Sequence, residues 1–219
     1  MARMKLFYAP GACSLASHIA MEEAGADFEA VRIDTAGGQQ RTPDYLAINP
    51  KGRVPALADG DFIVTENPAI LRYIAVTHPD KALWPSDPRG EARCAEWLAF
   101  LASGVHPTYA HIRRAERYAS TQAGRTDVVE TGTRATREIY QMVENKLAAA
   151  SEGWAAGDGY TVADPYLLVF WTWGNGPVLG YDMAADYPHW TAHARRVLAR
   201  PATVAAFERE GLALPQPRA

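Results

Sequence analysis

The sequence predicts a small mixed α/β domain followed by an all-α domain. Strand and helix patterns alternate over about the first 78 residues, as expected for a mixed sheet flanked by helices. A proline-rich connector follows, and after it apolar residues recur at three- and four-residue intervals, which is the period of helices. We therefore expect an α/β domain at 1–79, a linker at 80–88 and a helical bundle at 89–219.

The first domain is predicted to contain four strands and two helices. The strand segments are 5–8, 28–33, 54–58 and 62–65, and the first helix is 14–24. Gly25 ends that helix because glycine adopts the left-handed backbone of a helix end. Asp59-Gly60 favours a hairpin between the last two strands. Asn67 is predicted to cap the second helix, with Pro68 at its first position. The glycine- and proline-rich stretch before the third strand is predicted to be a long loop.

The second domain is predicted to be entirely helical. Two long helices are marked by apolar residues at helical spacing, Cys94, Trp97, Leu98, Leu101 and Val105 in one and Ile139, Val143 and Leu147 in the other. The segment 161–164 has the shape of a capping box, with Asp164 in place of the usual Glu or Gln. The helix at 166–173 is apolar on all sides, which predicts a place at the centre of the bundle. Pro188 and Pro201 are each predicted to open a short final helix.

Composition and charge exclude several classes of protein. The 219 residues include 22 basic and 25 acidic side chains. A net charge of −3 does not indicate binding to nucleic acid or to an anionic membrane. No apolar run approaches the roughly 20 residues of a spanning helix. Pro10 and Gly11 interrupt any export signal, and two cysteines form no disulfide framework, so a cytoplasmic location is expected. His189 and His193 lack a zinc-protease pattern, so no metal site is predicted.

Cys13 is the main candidate for chemistry because it lies at the N-terminus of the first predicted helix. Unpaired N–H groups and the helix dipole favour an anion there, so we expect a lowered thiol pKa. The alternative interpretation is a small buried apolar residue. No second cysteine follows in the turn, so any redox chemistry at Cys13 requires an external thiol.

Two neighbouring segments suit a short zwitterionic peptide that carries a thiol. Pro55 precedes a strand at a position that accepts a cis bond, and in a thioredoxin-like sheet the backbone of Val54 then faces Cys13 and pairs with an extended ligand. Glu66 and Asn67 offer an acid for an amine and N–H donors for a carboxylate, unless they form an ordinary helix cap. The nearby basic side chains, either solvated or facing a second carboxylate, are Lys51 and Arg53.

His106 is a second candidate, chosen by its position on a helix. At 100° per residue it lies beside Ala99 and Ala102 and opposite Trp97, so it is predicted to face a cleft between the domains. The alternative is a surface histidine at a helix end. The arginines that follow are predicted to form a solvated face, and they are Arg113, Arg114 and Arg117.

Motifs that resemble one known family occur at 8–15 (YAPGACSL), 49–57 (NPKGRVPAL), 65–66 (TE) and 162–164 (VAD). Together they are similar to the motifs of bacterial glutathione S-transferases, most closely those of the cysteine-containing beta class. The resemblance implies a thioredoxin-like N-terminal domain, a C-terminal helical bundle and a homodimer. It also implies glutathione as co-substrate in the first domain, with a small apolar electrophile in the cleft.

The resemblance further implies roles for individual residues. Cys13 and His106 would be catalytic, Val54 would pair its backbone with the cysteinyl unit, and Glu66 would lie near the γ-glutamyl amine. The full set of implied glutathione-binding residues is Tyr8, Lys51, Arg53, Val54, Pro55, Glu66 and Asn67. The implied electrophile-binding residues are Tyr109 and Trp173. The pocket would also draw on His106 and the region of Arg113, which implies an apolar or an anionic partner.

Three functions stay open at the level of sequence. In the first, the chain conjugates glutathione, and Cys13, Ser14 or Tyr8 activates the thiol of the tripeptide. In the second, Cys13 is itself the nucleophile and exchanges disulfides with glutathione. In the third, the chain is a non-catalytic binding or stress-regulatory module. Ala99 and Gly37-Gly38 favour this last reading, because the family has glutathione contacts at these positions.

Overall fold

The computed structural model describes residues 3–150 and 153–216. The strands of its sheet are β1 (Met4–Tyr8), β2 (Phe28–Arg32), β3 (Ala56–Asp59) and β4 (Phe62–Thr65). They lie in the order β2-β1-β3-β4, with β1 and β2 parallel and the other pairs antiparallel. β3 and β4 form the predicted hairpin, and Gly60 in its turn has a φ of 62°. The predicted thioredoxin-like mixed sheet is confirmed.

The α-helices of the described residues are α1 (Leu15–Ala24), α2 (Pro43–Ile48), α3 (Asn67–Thr77), α4 (Pro88–Phe100), α5 (His106–Arg113), α6 (Gln122–Ala148), α7 (Ala163–Gly174), α8 (Met183–Asp186), α9 (Pro188–Leu198) and α10 (Pro201–Glu210). A π-helical segment, Leu101–Val105, joins α4 directly to α5. The all-helical second half is confirmed. Within the described part of the chain, no helix combines the length and apolar character needed to cross a membrane.

Helix α1 lies where the sheet meets the helical half. It packs against α3 on one side and against α7 and α10 on the other. Its buried side chains, such as Leu15 and Ile19, belong to the same apolar core as Leu167 and Phe170 of α7. The N-terminus of α1 is therefore held at the junction of the two halves of the molecule.

Helix α7 occupies the centre of the bundle, as its apolar sequence predicts, and every residue from 163 to 171 is buried. Asp164 in its first turn accepts hydrogen bonds from the backbone N–H groups of Thr161 at 2.7 Å and Ala155 at 2.9 Å. Its Oδ1 also lies 2.7 Å from Nε2 of His193. The acid therefore closes the predicted capping box and ties α7 to α9.

Two sequence predictions about helix starts are wrong. The stretch predicted as a long loop contains α2, which begins at Pro43 and whose Thr42 side chain accepts from the Tyr45 N–H at 3.4 Å. Asn67 is not the cap of α3, because Glu66 holds that position with a φ of 77°. Asn67 instead lies inside the helix, so its side chain is free to make contacts elsewhere.

Candidate functional site

Cys13 lies in the turn between β1 and α1, beside the start of β3. Its thiol donates to the backbone carbonyl of Val54 at 3.5 Å. The peptide bond between Val54 and Pro55 is cis, as the sequence predicts. The backbone of Val54 therefore faces the cysteine, as expected for a thioredoxin-like sheet.

The turn that carries Cys13 is held from three directions. The Asn67 side chain donates to the Cys13 carbonyl at 2.7 Å. Glu210 accepts from the Gly11 N–H at 2.9 Å, and the Trp173 indole donates to the Gly11 carbonyl at 3.0 Å. Two helices of the second half therefore fix the cysteine turn of the first. Sequence reasoning missed Glu210, since a partner 199 residues away leaves no local pattern.

A cavity of about 150 Å³ opens beside the Cys13 thiol, and we refer to it as the thiol cavity. The helical half contributes the wall that faces Cys13, which includes Tyr166 and Arg117. The sequence-predicted residues that line this cavity are Cys13, Arg53, Val54, Pro55, Glu66, Asn67 and His106. Candidates drawn from separate motifs thus surround one space.

The expected lowering of the Cys13 pKa is wrong for this structure. Burial of the thiol raises its pKa to about 12, and it outweighs the backbone N–H groups of Cys13 and Ser14, which lower it. Desolvation of a buried group can shift a pKa by several units, whereas a helix N-terminus contributes roughly 1 kcal/mol. A thiol with this pKa is neutral near pH 7 and is suited to donate a hydrogen bond.

The two hydroxyl groups that rival Cys13 do not line the thiol cavity. Tyr8 is buried, and Ser14 is fully buried with its hydroxyl donating to the Ala9 carbonyl at 3.2 Å. Tyr166, which sequence reasoning missed, does line the cavity. Burial and the neighbouring Cys13 raise the pKa of Tyr166, so its phenol stays protonated and can donate to a sulfur anion.

Glu66 and Lys51 form an ion pair at the edge of the site. Lys51 Nζ lies 2.6 Å from the Glu66 carboxylate and donates to the Thr65 hydroxyl at 2.6 Å. Lys51 does not line the thiol cavity, so it contacts the site through Glu66. The positive φ of Glu66 costs about 1–3 kcal/mol, and such strain is common where a backbone is shaped to hold a ligand.

A second cavity of about 330 Å³ adjoins the first and shares Cys13, Val54 and His106 with it. We refer to it as the aromatic cavity, because Tyr109 and Trp173 line it as a stacked pair with ring centroids 4.4 Å apart. The His106 ring lies 5.2 Å from that of Trp173. The residues predicted for an electrophile pocket therefore form one aromatic cluster that lines the cavity.

The prediction that Arg113, Arg114 and Arg117 form a solvated face is confirmed in part, because Arg113 and Arg117 are exposed and Arg114 is half-buried. All three line the aromatic cavity together with Arg53, and we call these four residues the arginine rim. Helix α5 ends at Arg113, and a 3-10 turn at Ala115–Arg117 follows, so the chain stays beside the cleft. The rim is partly exposed, but it faces the site.

His106 is predicted to make stability depend on pH. Burial, and then Arg53 and Arg117, lower its pKa from 6.5 to about 4, so the unfolded chain binds a proton first as the pH falls. The free energy of unfolding therefore decreases as the pH falls from about 6.5 toward 4, and at pH 5 the decrease is about 1–2 kcal/mol. Urea unfolding at pH 7 and pH 5 should show a smaller loss for His106→Gln than for the unsubstituted protein. Equal losses would contradict the assignment.

The two histidines considered as metal ligands are each paired with an acid. His189 Nδ1 lies 2.7 Å from Glu144 Oε1, and His193 Nε2 lies 2.7 Å from Asp164 Oδ1. Over residues 3–150 and 153–216, no group of three or more His, Cys, Asp or Glu side chains is arranged to hold a metal ion. Both histidines therefore have structural partners.

A thioredoxin-like sheet that presents a cysteine to a cleft, closed on its far side by a helical domain, defines a two-domain class of proteins with a thiol beside the cleft. The family model for the N-terminal domain of glutathione S-transferases matches residues 2–76, and that for the C-terminal domain matches residues 103–201. The chain belongs to the glutathione S-transferase family, and it is a transferase of that family.

Relatives and solved structures match over nearly the whole chain. The glutathione S-transferase GstA of Escherichia coli O157:H7 is 35% identical over 95% of this chain and 100% of its own. A glutathione transferase homolog from Sulfitobacter, solved with bound glutathione, has a TM-score of 0.88 and 37% identity and covers 97% of this chain and 100% of its own. The beta-class enzyme of Sphingomonas chungbukensis has a TM-score of 0.82 and 38% identity, covering 95% and 100%.

Proposed function

We propose that this chain conjugates the thiolate of glutathione to small electrophiles with an apolar body. The observation that carries this proposal is the position of the Cys13 thiol, which bonds to the Val54 carbonyl where the two cavities meet. A tripeptide in the thiol cavity can pair with the Val54 backbone as a short added strand. Its sulfur would then lie next to the aromatic cavity, where an electrophile can stack on Trp173.

Each part of the cleft contributes to the reaction in this proposal. Glu66, oriented by Lys51, accepts the amine of glutathione, and Arg53 binds a carboxylate. The neutral Cys13 thiol and the Tyr166 hydroxyl donate to the glutathione sulfur, which lowers its pKa and raises the thiolate fraction. The thiolate attacks the electrophilic carbon, a C–S bond forms, and the leaving group departs with its electron pair.

Conjugation can be measured directly with purified protein, glutathione and chlorodinitrobenzene. We expect a rate above that of the uncatalysed reaction, saturable in both substrates. A rate equal to the uncatalysed one, at every glutathione concentration tried, would remove the proposed function. Retention on immobilised glutathione in the same preparation would then indicate the non-catalytic binding module.

Cys13→Ala separates conjugation from disulfide exchange. One hydrogen bond from a neutral thiol contributes about 0.5–1.5 kcal/mol, so conjugation should fall by about tenfold at most. Exchange with a mixed disulfide of glutathione should disappear in the same variant, because no other cysteine lines either cavity in the described part of the chain. Cys94→Ala, which removes a buried thiol elsewhere, is the matched control. A loss of conjugation well beyond tenfold in Cys13→Ala, with Cys94→Ala unchanged, would contradict the assignment of Cys13 as a hydrogen-bond donor.

We also propose that the chain is cytoplasmic and forms a homodimer. Its domains are then 1–79 and 89–219, joined by a linker at 80–88. Phe62 and Ile63 on β4 and Val76 on α3 are exposed apolar side chains, as a subunit interface requires. Residues 1–2 and 217–219, at the ends of these domains, lie outside the described residues. Light scattering should give twice the chain mass, and a single-chain mass at micromolar concentration would contradict the dimer.

A further inference from the structure

We infer that the electrophile is an aromatic compound carrying a negative charge, which the arginine rim binds. The inference rests on the proposed function and names the class of substrate for the same cleft. It goes beyond an apolar electrophile because the aromatic cavity has two different surfaces, a group of aromatic side chains and a cationic edge. Both surfaces would contact one molecule.

The side chains that line the aromatic cavity give it a positive charge. Four arginines line it, and no aspartate or glutamate does, although the whole chain carries a net charge of −3. None of the four side chains forms an ion pair with a carboxylate among residues 3–150 and 153–216. Burial, and then the guanidinium groups of Arg53 and Arg114, lower the pKa of Arg117, as expected for like charges held together. An anionic ligand would supply the missing counter-charge.

The aromatic wall and the cationic edge are aligned on one helix. Tyr109 and Arg113 are four residues apart on α5, which places their side chains on the same face. Tyr109 stacks on Trp173, and an aromatic compound that contacts this pair occupies the same cavity as the arginines at the end of α5. A planar guanidinium there can bind a carboxylate or sulfonate through two parallel hydrogen bonds.

Two of the arginines distinguish the electrophile from glutathione, which is itself anionic. Arg53 and Arg117 line both cavities, so they can contact either substrate. Arg113 and Arg114 line the aromatic cavity but not the thiol cavity. Their positive charge is therefore directed at the electrophile, and they are the positions to substitute.

The reaction on such a substrate needs no further reactant. For a chlorodinitrobenzoate, the glutathione thiolate attacks the ring carbon that bears chlorine and forms a C–S bond. The C–Cl bond breaks and chloride leaves with the bonding electron pair. The thiol proton passes to water, and the ring carboxylate stays intact as the binding group.

The test compares a chlorodinitrobenzoate with the corresponding chlorodinitrobenzamide, which has the same ring and leaving group without the charge. We expect Arg113→Gln/Arg114→Gln to lower kcat/KM for the benzoate about tenfold more than for the benzamide, with the difference reduced by salt. The KM for glutathione should change much less than the KM for the benzoate. Arg89→Gln/Arg134→Gln removes the same charge from exposed positions outside the cleft and is the control. An equal effect of Arg113→Gln/Arg114→Gln on both substrates would overturn the inference.

A binding measurement tests whether the arginine rim holds aromatic anions independently of catalysis, so its outcome is distinct from that of the chlorodinitrobenzene assay of the proposed function. The probes are anilinonaphthalene sulfonate and N-phenylnaphthylamine, which share their rings and differ in the sulfonate. Arg113→Gln/Arg114→Gln should weaken binding of the sulfonate about tenfold more than binding of the neutral dye. Equal weakening of both dyes, or none, would overturn the inference.

Discussion

Replacing Asp164 by alanine is expected to lower the free energy of unfolding by about 3–5 kcal/mol. The carboxylate is completely buried, and it accepts from the backbone N–H groups of Ala155 and Thr161 and from the Thr161 hydroxyl. It also contacts the buried ring of His193. Removing it leaves three donors and an imidazole without a partner inside the protein, which costs more than the bonds themselves contribute.

Chemical denaturation of Asp164→Ala measures this loss, and the midpoint of thermal unfolding should fall by about 2–4 °C for each kcal/mol. Asp164→Asn keeps the shape and one acceptor, so it should lose less. Asp127→Ala, at an exposed position on α6, is the matched control for removal of an acid and should change stability by under about 0.5 kcal/mol. A loss for Asp164→Ala no larger than that of Asp127→Ala would contradict the account of α7.

Glu210→Ala is expected to reduce both stability and conjugation. One carboxylate oxygen accepts from the Gly11 N–H at 2.9 Å, and the other lies 2.9 Å from Nδ1 of the fully buried His18. Loss of both contacts should cost about 2–4 kcal/mol. It also frees the turn that positions Cys13, and a small misplacement of a reacting group can lower a rate by tenfold or more.

The effect of Glu210 on conjugation can be measured separately from its effect on stability. Assayed under conditions where each variant is fully folded, Glu210→Ala should raise the KM for glutathione and lower kcat/KM about tenfold. Glu210→Gln keeps an acceptor for Gly11 and should recover most of that loss. Glu208→Ala, exposed on the same helix, is the control. Unchanged kinetics in folded Glu210→Ala would show that the last helix does not position the cysteine turn.

The regular elements were predictable because their signals are local. Gly25 ends α1 with a left-handed backbone, and the continuous apolar sequence of α7 places it at the centre. Helix α2 was missed because the prolines and glycines on either side of it indicate a loop, although Thr42-Pro43 is a helix start in itself. The assignment of a cap to Asn67 failed because Glu66 takes the strained position.

The site was predictable only where its chemistry is encoded by neighbouring residues. The cysteine turn, Val54 and Glu66 follow from short motifs. The raised pKa of Cys13 does not, because the desolvation that raises it depends on the opposite wall of the cavity. The run of arginines indicates a solvated face, and Arg113 and Arg117 are exposed, but the lining of the cavity by Arg113, Arg114 and Arg117 depends on the end of α5 and the turn behind it. Glu210 depends on a contact between the two ends of the chain.

A crystal structure with glutathione is the most direct test of how this cleft works. We expect the tripeptide in the thiol cavity, its cysteinyl backbone paired with Val54, its amine at Glu66 and its sulfur beside Cys13 facing Trp173. A sulfur that points out of the cleft, or a tripeptide bound away from Val54, would contradict the proposed mechanism.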